Sequence, residues 1–182
     1  TISPEFEGYE YGYALSLHAE HQTEEALRLT QQGLSKNPFD TRLLLLASQL
    51  SYELHDEQKA EDYLLKAKDN AEDLEEIALR LSNLYLEQER FDEVLKFEEQ
   101  DIDNVLTKWN IARAYQALEQ TTAALERYSL LLSDLQENPE FLEQYIYLLR
   151  EMGDFEEAKH EAEHYLHLVP DDVEMQELYD SL

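Results

Sequence analysis

The sequence predicts an all-α fold, a solenoid of about five helical hairpins followed by a C-terminal closing helix. Three observations carry this reading. Ala26, Ala60, Ala124 and Ala158 share one layout, and the first pair and the last pair are each 34 residues apart. A period of that length, with small residues at set places, marks stacked helical hairpins. Only four glycines and four prolines occur in 182 residues, and no proline interrupts a proposed helix.

Aligned on those alanines, the units run near 7–40, 41–74, 75–104, 105–138 and 139–172. A lead-in covers 1–6 and the closing helix 173–182, and we read the repeats as a single array. Each unit pairs a first helix with a second. Their crossing point needs small residues, because a large side chain there would force the helix axes apart. The first unit supplies Ala14 and Ala26, with Gly33 a further turn along, and Pro38 stops its second helix. Ser48, Ala60 and Ala67 serve the second unit, and Ser82 the third. That third unit is four residues short, carries Val94 for alanine and puts Asp101 where a small residue belongs. A local change of twist is therefore expected around Asp101–Asn104. The fourth unit supplies Ala112 and Ala124, with Tyr115 and Tyr128. The fifth has Ile146 in place of the small residue, then Gly153, Phe155, Ala158 and Pro170. Asp171-Asp172 then caps a closing helix with Met175, Leu178, Tyr179 and Leu182 on one face.

These positions resemble those of the tetratricopeptide repeat (TPR), and the resemblance covers almost the whole chain. The run Met152-Gly153-Asp154-Phe155-Glu156-Glu157-Ala158 matches it most clearly. In overall texture, such as the Asn37-Pro38 turn before a leucine-rich helix, the sequence is similar to the C-terminal half of YpiA-like TPR proteins of low-GC Gram-positive bacteria. The resemblance implies a right-handed superhelix whose first helices line a concave groove, and a protein or peptide partner held there. Carried over position by position, the groove residues are Arg42, Gln49, Arg80, Asn83, Trp109, Asn110, Arg113, Gln144, Tyr147 and Arg150. The carboxylate clamp of some family members does not transfer, because Tyr11 and Leu15 stand where its first repeat needs lysine and asparagine.

The residue types suit a peptide. Amide side chains can pair with both the donor and the acceptor of an extended backbone. Arginine can take a carboxylate in a two-pronged hydrogen bond. Tryptophan, tyrosine and arginine dominate binding hot spots. The proposed inner stripe carries four arginines against six glutamates, which is far less acidic than the rest of a chain with 14 basic and 42 acidic residues.

That imbalance, a formal charge of -28, argues against nucleic acid and anionic membrane surfaces as partners. No apolar run reaches the roughly 20 residues of a membrane helix. Cysteine is absent, which fits a reducing, cytoplasmic setting. No cofactor is expected. No phosphate loop or nucleophile elbow occurs, and paired carboxylates carry no weight in so acidic a chain. His160, His164 and His167 share a helix face, and we read them as surface histidines without a metal role. Asp101-Ile102-Asp103-Asn104 lacks the later ligands of a calcium loop and reads as a turn and N-cap.

The leading function is a non-catalytic interaction scaffold. Three alternatives stay open: binding of basic proteins on the acidic outer face, service as the repeat part of a larger enzyme, and self-association through the closing helix.

Overall fold

The computed structural model describes residues 9–100 and 102–182. The lead-in, Gly8 and Asp101 lie outside the described residues. Eleven helices are present among those described. They are α1 (Tyr9–Ala19), α2 (Thr23–Lys36), α3 (Thr41–Glu53), α4 (Glu57–Lys68), α5 (Glu75–Glu87), α6 (Phe91–Leu95), α7 (Val105–Ala117), α8 (Thr121–Leu135), α9 (Pro139–Met152), α10 (Phe155–Leu168) and α11 (Val173–Ser181). Two compact units divide the chain, 1–84 and 85–182, and the break falls within α5.

In the first unit α1 packs on α2, α3 on α4, and α2 on α3. The small residues expected at the helix crossings are buried: Ala14, Ala26 and Ala67 fully, Ala60 and Ser48 nearly so. Gly33 has a specific reason to lack a side chain. A Cβ there would lie 2.8 Å from Leu43 Cδ1 and 3.1 Å from Glu10 Cβ, so the buried Leu43 side chain would have to shift and α1 to give slightly.

In the second unit α7 packs on α8, α8 on α9, α9 on α10, and α10 on α11. Its core is aromatic. Tyr128 packs against Phe141 at 5.4 Å and Tyr145 at 6.2 Å between ring centroids, and Trp109 meets Phe141 edge-on at 5.8 Å. The closing helix joins this core. Met175 and Leu178 are buried, and Tyr179 and Leu182 pack partly against it. The apolar face expected to support self-association is thus turned inward onto the protein's own core.

The shortened third repeat yields α6, a helix of only five residues. Beyond it the backbone tightens into three-residue turns, with Phe97, Glu98 and Gln100 N–H donating to Val94, Leu95 and Phe97 carbonyls. Glu98 fastens this stretch to its neighbours. It accepts hydrogen bonds from Tyr115 of α7 and from Arg127 Nε of α8, the latter at 2.8 Å.

One regularity recurs five times. Between the two helices of each repeat stands a residue with left-handed backbone: His21 (φ 60°), His55 (60°), Glu89 (56°), Glu119 (58°) and Gly153 (81°). The next N–H in each case reaches back five residues to a helix carbonyl. Gln22 bonds to Leu17, Asp56 to Ser51, Arg90 to Tyr85, Gln120 to Tyr115 and Asp154 to Leu149, at 2.8–2.9 Å. This is the Schellman closure, which satisfies carbonyls left over at a helix end. The donor residue then serves as N-cap of the second helix, and Asp56 and Asp154 add side-chain bonds to Lys59 and Glu157 N–H. Asp40, Asn104, Asn138 and Asp172 cap α3, α7, α9 and α11 in the same way.

Candidate functional site

The two units treat the candidate residues differently. In the first unit the cations are already occupied. Arg42 forks onto its own helix cap, with Nη2 3.0 Å from Asp40 Oδ2, and lies over the Tyr11 ring at 5.4 Å. Arg80 bonds Glu76 one turn back at 2.6 Å. Gln49 donates to Glu53 at 3.2 Å, and Glu53 also meets His18 at 2.8 Å. Asn83 is exposed on α5.

The second unit brings Trp109, Arg113 and Gln144 together. Trp109 Nε1 donates to Gln144 Oε1 at 3.1 Å, which ties α7 to α9. The same oxygen accepts from Tyr128 OH at 2.8 Å, and that hydroxyl also approaches Gln116 Oε1 at 3.1 Å. Gln144 Nε2 points toward Glu140 at 3.5 Å. Burial pushes the Tyr128 hydroxyl up to about 12, so it stays protonated and keeps donating at neutral pH. Arg113, one turn beyond Trp109, holds its guanidinium 5.6 Å from the indole centroid. Arg150 is exposed in the last turn of α9, and Tyr147 is 38% exposed a turn earlier.

This geometry narrows the sequence-based site. Trp109 is 7% exposed and Asn110 3%. Both belong to the interior, because α7 is packed by α6, α8 and α9 side chains. The indole N–H is spent on Gln144, so Trp109 supports the surface from beneath rather than projecting as an anchor. Gln144 likewise gives its carbonyl oxygen to the core. Arg113, Tyr147 and Arg150 remain as the accessible or half-accessible members in this unit, with half-buried Gln116 beside them on α7. Among the described residues neither Arg113 nor Arg150 has a carboxylate within ion-pair reach. Tyr128 was the member hardest to foresee, since it reaches this network from α8, the second helix of its repeat.

The histidines of α10 lie against acids and backbone, and Glu161 is shared by His160 and by His164, whose Nδ1 stands 4.0 Å from it. His160 Nδ1 lies 3.1 Å from Glu161, His164 Nε2 lies 3.7 Å from Glu137, and His167 Nδ1 donates to the Glu163 carbonyl at 2.7 Å. No helix among the described residues is long and apolar enough to cross a membrane.

Comparison with known proteins agrees with the repeat geometry. Residues 106–172 match the family model of YpiA-like, C-terminal tetratricopeptide repeats. No curated protein matches the chain. Among solved structures, a double mutant of MamA from RS-1 is 14% identical with a TM-score of 0.80, covering 96% of this chain and 99% of its own. Pseudomonas aeruginosa pilF is 14% identical with a TM-score of 0.74, over 90% of this chain and 77% of its own. YrrB, described as a TPR protein with an unusual peptide-binding site, is 13% identical with a TM-score of 0.70, over 94% and 90%. At these identities the likeness is one of fold. Residues 106–172 thus match the tetratricopeptide-repeat family model, and the described chain as a whole shares the tetratricopeptide-repeat fold.

Proposed function

We propose that this protein of tetratricopeptide-repeat fold is a non-catalytic interaction module, which holds a segment of another protein on the first-helix face of its second unit. The observation that carries the reading is the state of the arginines. Arg42 and Arg80 already have carboxylate partners. Arg113 and Arg150 have none among the described residues, although acidic residues outnumber basic ones 42 to 14. A half-exposed guanidinium held over a buried indole on α7, with an exposed tyrosine on α9, offers hydrogen-bond donors and an aromatic surface. An extended segment can use both.

The test compares affinity capture by the wild type, Arg113→Gln/Arg150→Gln and Arg42→Gln/Arg80→Gln. The first double variant should lose its captured protein while the second retains it, with helicity unchanged in both. Equal capture by all three proteins would refute the site. The charge of -28 favours one other reading, in which a basic partner is drawn to the acidic surface. Capture would then survive both double variants and be lost on reversal of outward-facing acids.

A further inference from the structure

The first helices of the second unit are sorted by charge. α7 has no acid, the only described helix without Asp or Glu; its Lys108 pairs with Asp103 before the helix at 2.6 Å, which leaves Arg113 as its unpaired cation among the described residues. α9 carries Glu140, Glu143 and Glu151 against Arg150. α11 carries Glu174, Glu177 and Asp180 and no base. Formal charge therefore runs from positive to increasingly negative across the three.

Side chains connect them in that order. α7 is joined to α9 through Trp109, Gln144 and Phe141. α9 is linked to the start of α11 through α10. α10 packs against both, and its Tyr165 donates to the α11 cap Asp172 at 2.8 Å. A ligand laid across these helices meets Arg113 first, then α9, where three carboxylates outweigh Arg150, and then the carboxylates of α11.

We infer that the segment held on this face is charge-sorted, with acidic residues over α7 and basic residues over α9 and α11. The inference rests on the proposed function above and adds the chemistry of the ligand. A uniformly acidic segment would meet like charge on α9 and α11, and a uniformly basic one would bring like charge to Arg113. Like-charge juxtaposition is strongly discriminating.

The test uses labelled synthetic peptides of equal length and composition class: acidic block then basic block, the reverse order, all acidic, all basic, and neutral. Binding is read by anisotropy at about 0.15 M salt and independently by fluorescence of the single tryptophan, Trp109. One of the two block peptides should bind about tenfold or more tighter than either single-sign peptide. Arg113→Glu should weaken that peptide and tighten the all-basic one. Glu177→Lys should weaken it and tighten the all-acidic one. Thermal melts should show both variants folded. Equal, Arg113-dependent binding of the neutral and block peptides would overturn charge sorting and leave the proposed face intact. Tightest binding by the all-basic peptide, indifferent to Arg113→Glu, would overturn both. If none of the peptides binds, charge sorting fails, and the capture experiment alone then decides the face.

Discussion

Removing the fifth repeat's glycine should destabilise the protein, while adding a glycine at the same place in the fourth should stabilise it. Gly153 has φ 81°, and Glu119, its equivalent one repeat earlier, has φ 58°. An L-residue in this region brings Cβ toward the neighbouring carbonyl at a cost of about 1–2 kcal/mol. Nothing lies within 4 Å of a Cβ built on Gly153, so Gly153→Ala isolates the backbone term without a packing clash. It should cost about 1 kcal/mol. Glu119→Gly recovers the strain but adds freedom to the unfolded chain, which takes back roughly 0.5–1 kcal/mol. A net gain of about 0.5–1 kcal/mol remains. Both positions lie in the unit that contains Trp109, so urea melts followed by tryptophan fluorescence report them directly. For about 180 residues each kcal/mol corresponds to roughly 2–4 °C in Tm. A neutral Gly153→Ala together with a destabilising Glu119→Gly would refute the reasoning.

Other outcomes follow from the packing and the charges. Gly33→Ala should cost about 1–3 kcal/mol, because its Cβ would fall 2.8 Å from Leu43 Cδ1; trimming Leu43 to alanine in the same chain should recover part of that specific clash, read as a positive coupling in denaturant melts. Trp109→Ala should cost about 3–5 kcal/mol, since the indole is buried against Phe141, whereas Arg113→Gln should stay within about 0.5 kcal/mol; matched melting curves would contradict this placement of Trp109. Burial opposes ionisation of Glu98, but its bonds from Tyr115 and Arg127 outweigh that and hold the carboxyl below its ordinary value. A depressed carboxyl stabilises above its unfolded pKa and loses that contribution as pH falls through the folded one. The stability gap between wild type and Glu98→Gln should therefore be largest near neutrality and close in acid below about pH 4, and a gap that widens in acid would contradict the assignment.

Much of the helical plan was legible in the sequence because small residues at helix crossings, prolines after helices and Asp or Asn caps all act locally. The five left-handed turns were less visible. Only Gly153 announces one, while two histidines and two glutamates adopt the same backbone elsewhere. There the Schellman bond and the cap that follows impose the geometry on unfavourable residue types. The candidate residues could be placed on their helices from the sequence, but their exposure could not. Repeat numbering places Trp109 and Asn110 on the first helix correctly, yet whether such a residue faces solvent depends on Phe141 and Tyr128 from other helices. The same dependence turned the closing helix inward, as Met175 and Leu178 found a core to enter.

The central claim, that a partner segment lies on the first-helix face of the second unit, is tested most directly by site-specific photo-crosslinking. A photoreactive phenylalanine replaces Tyr147 (38% exposed on α9) or, separately, Leu130 (76% exposed on α8). Adducts should form from position 147 and not from position 130, and Arg113→Gln/Arg150→Gln should remove them. Adducts from position 130 alone, or from both positions regardless of the arginines, would contradict the account.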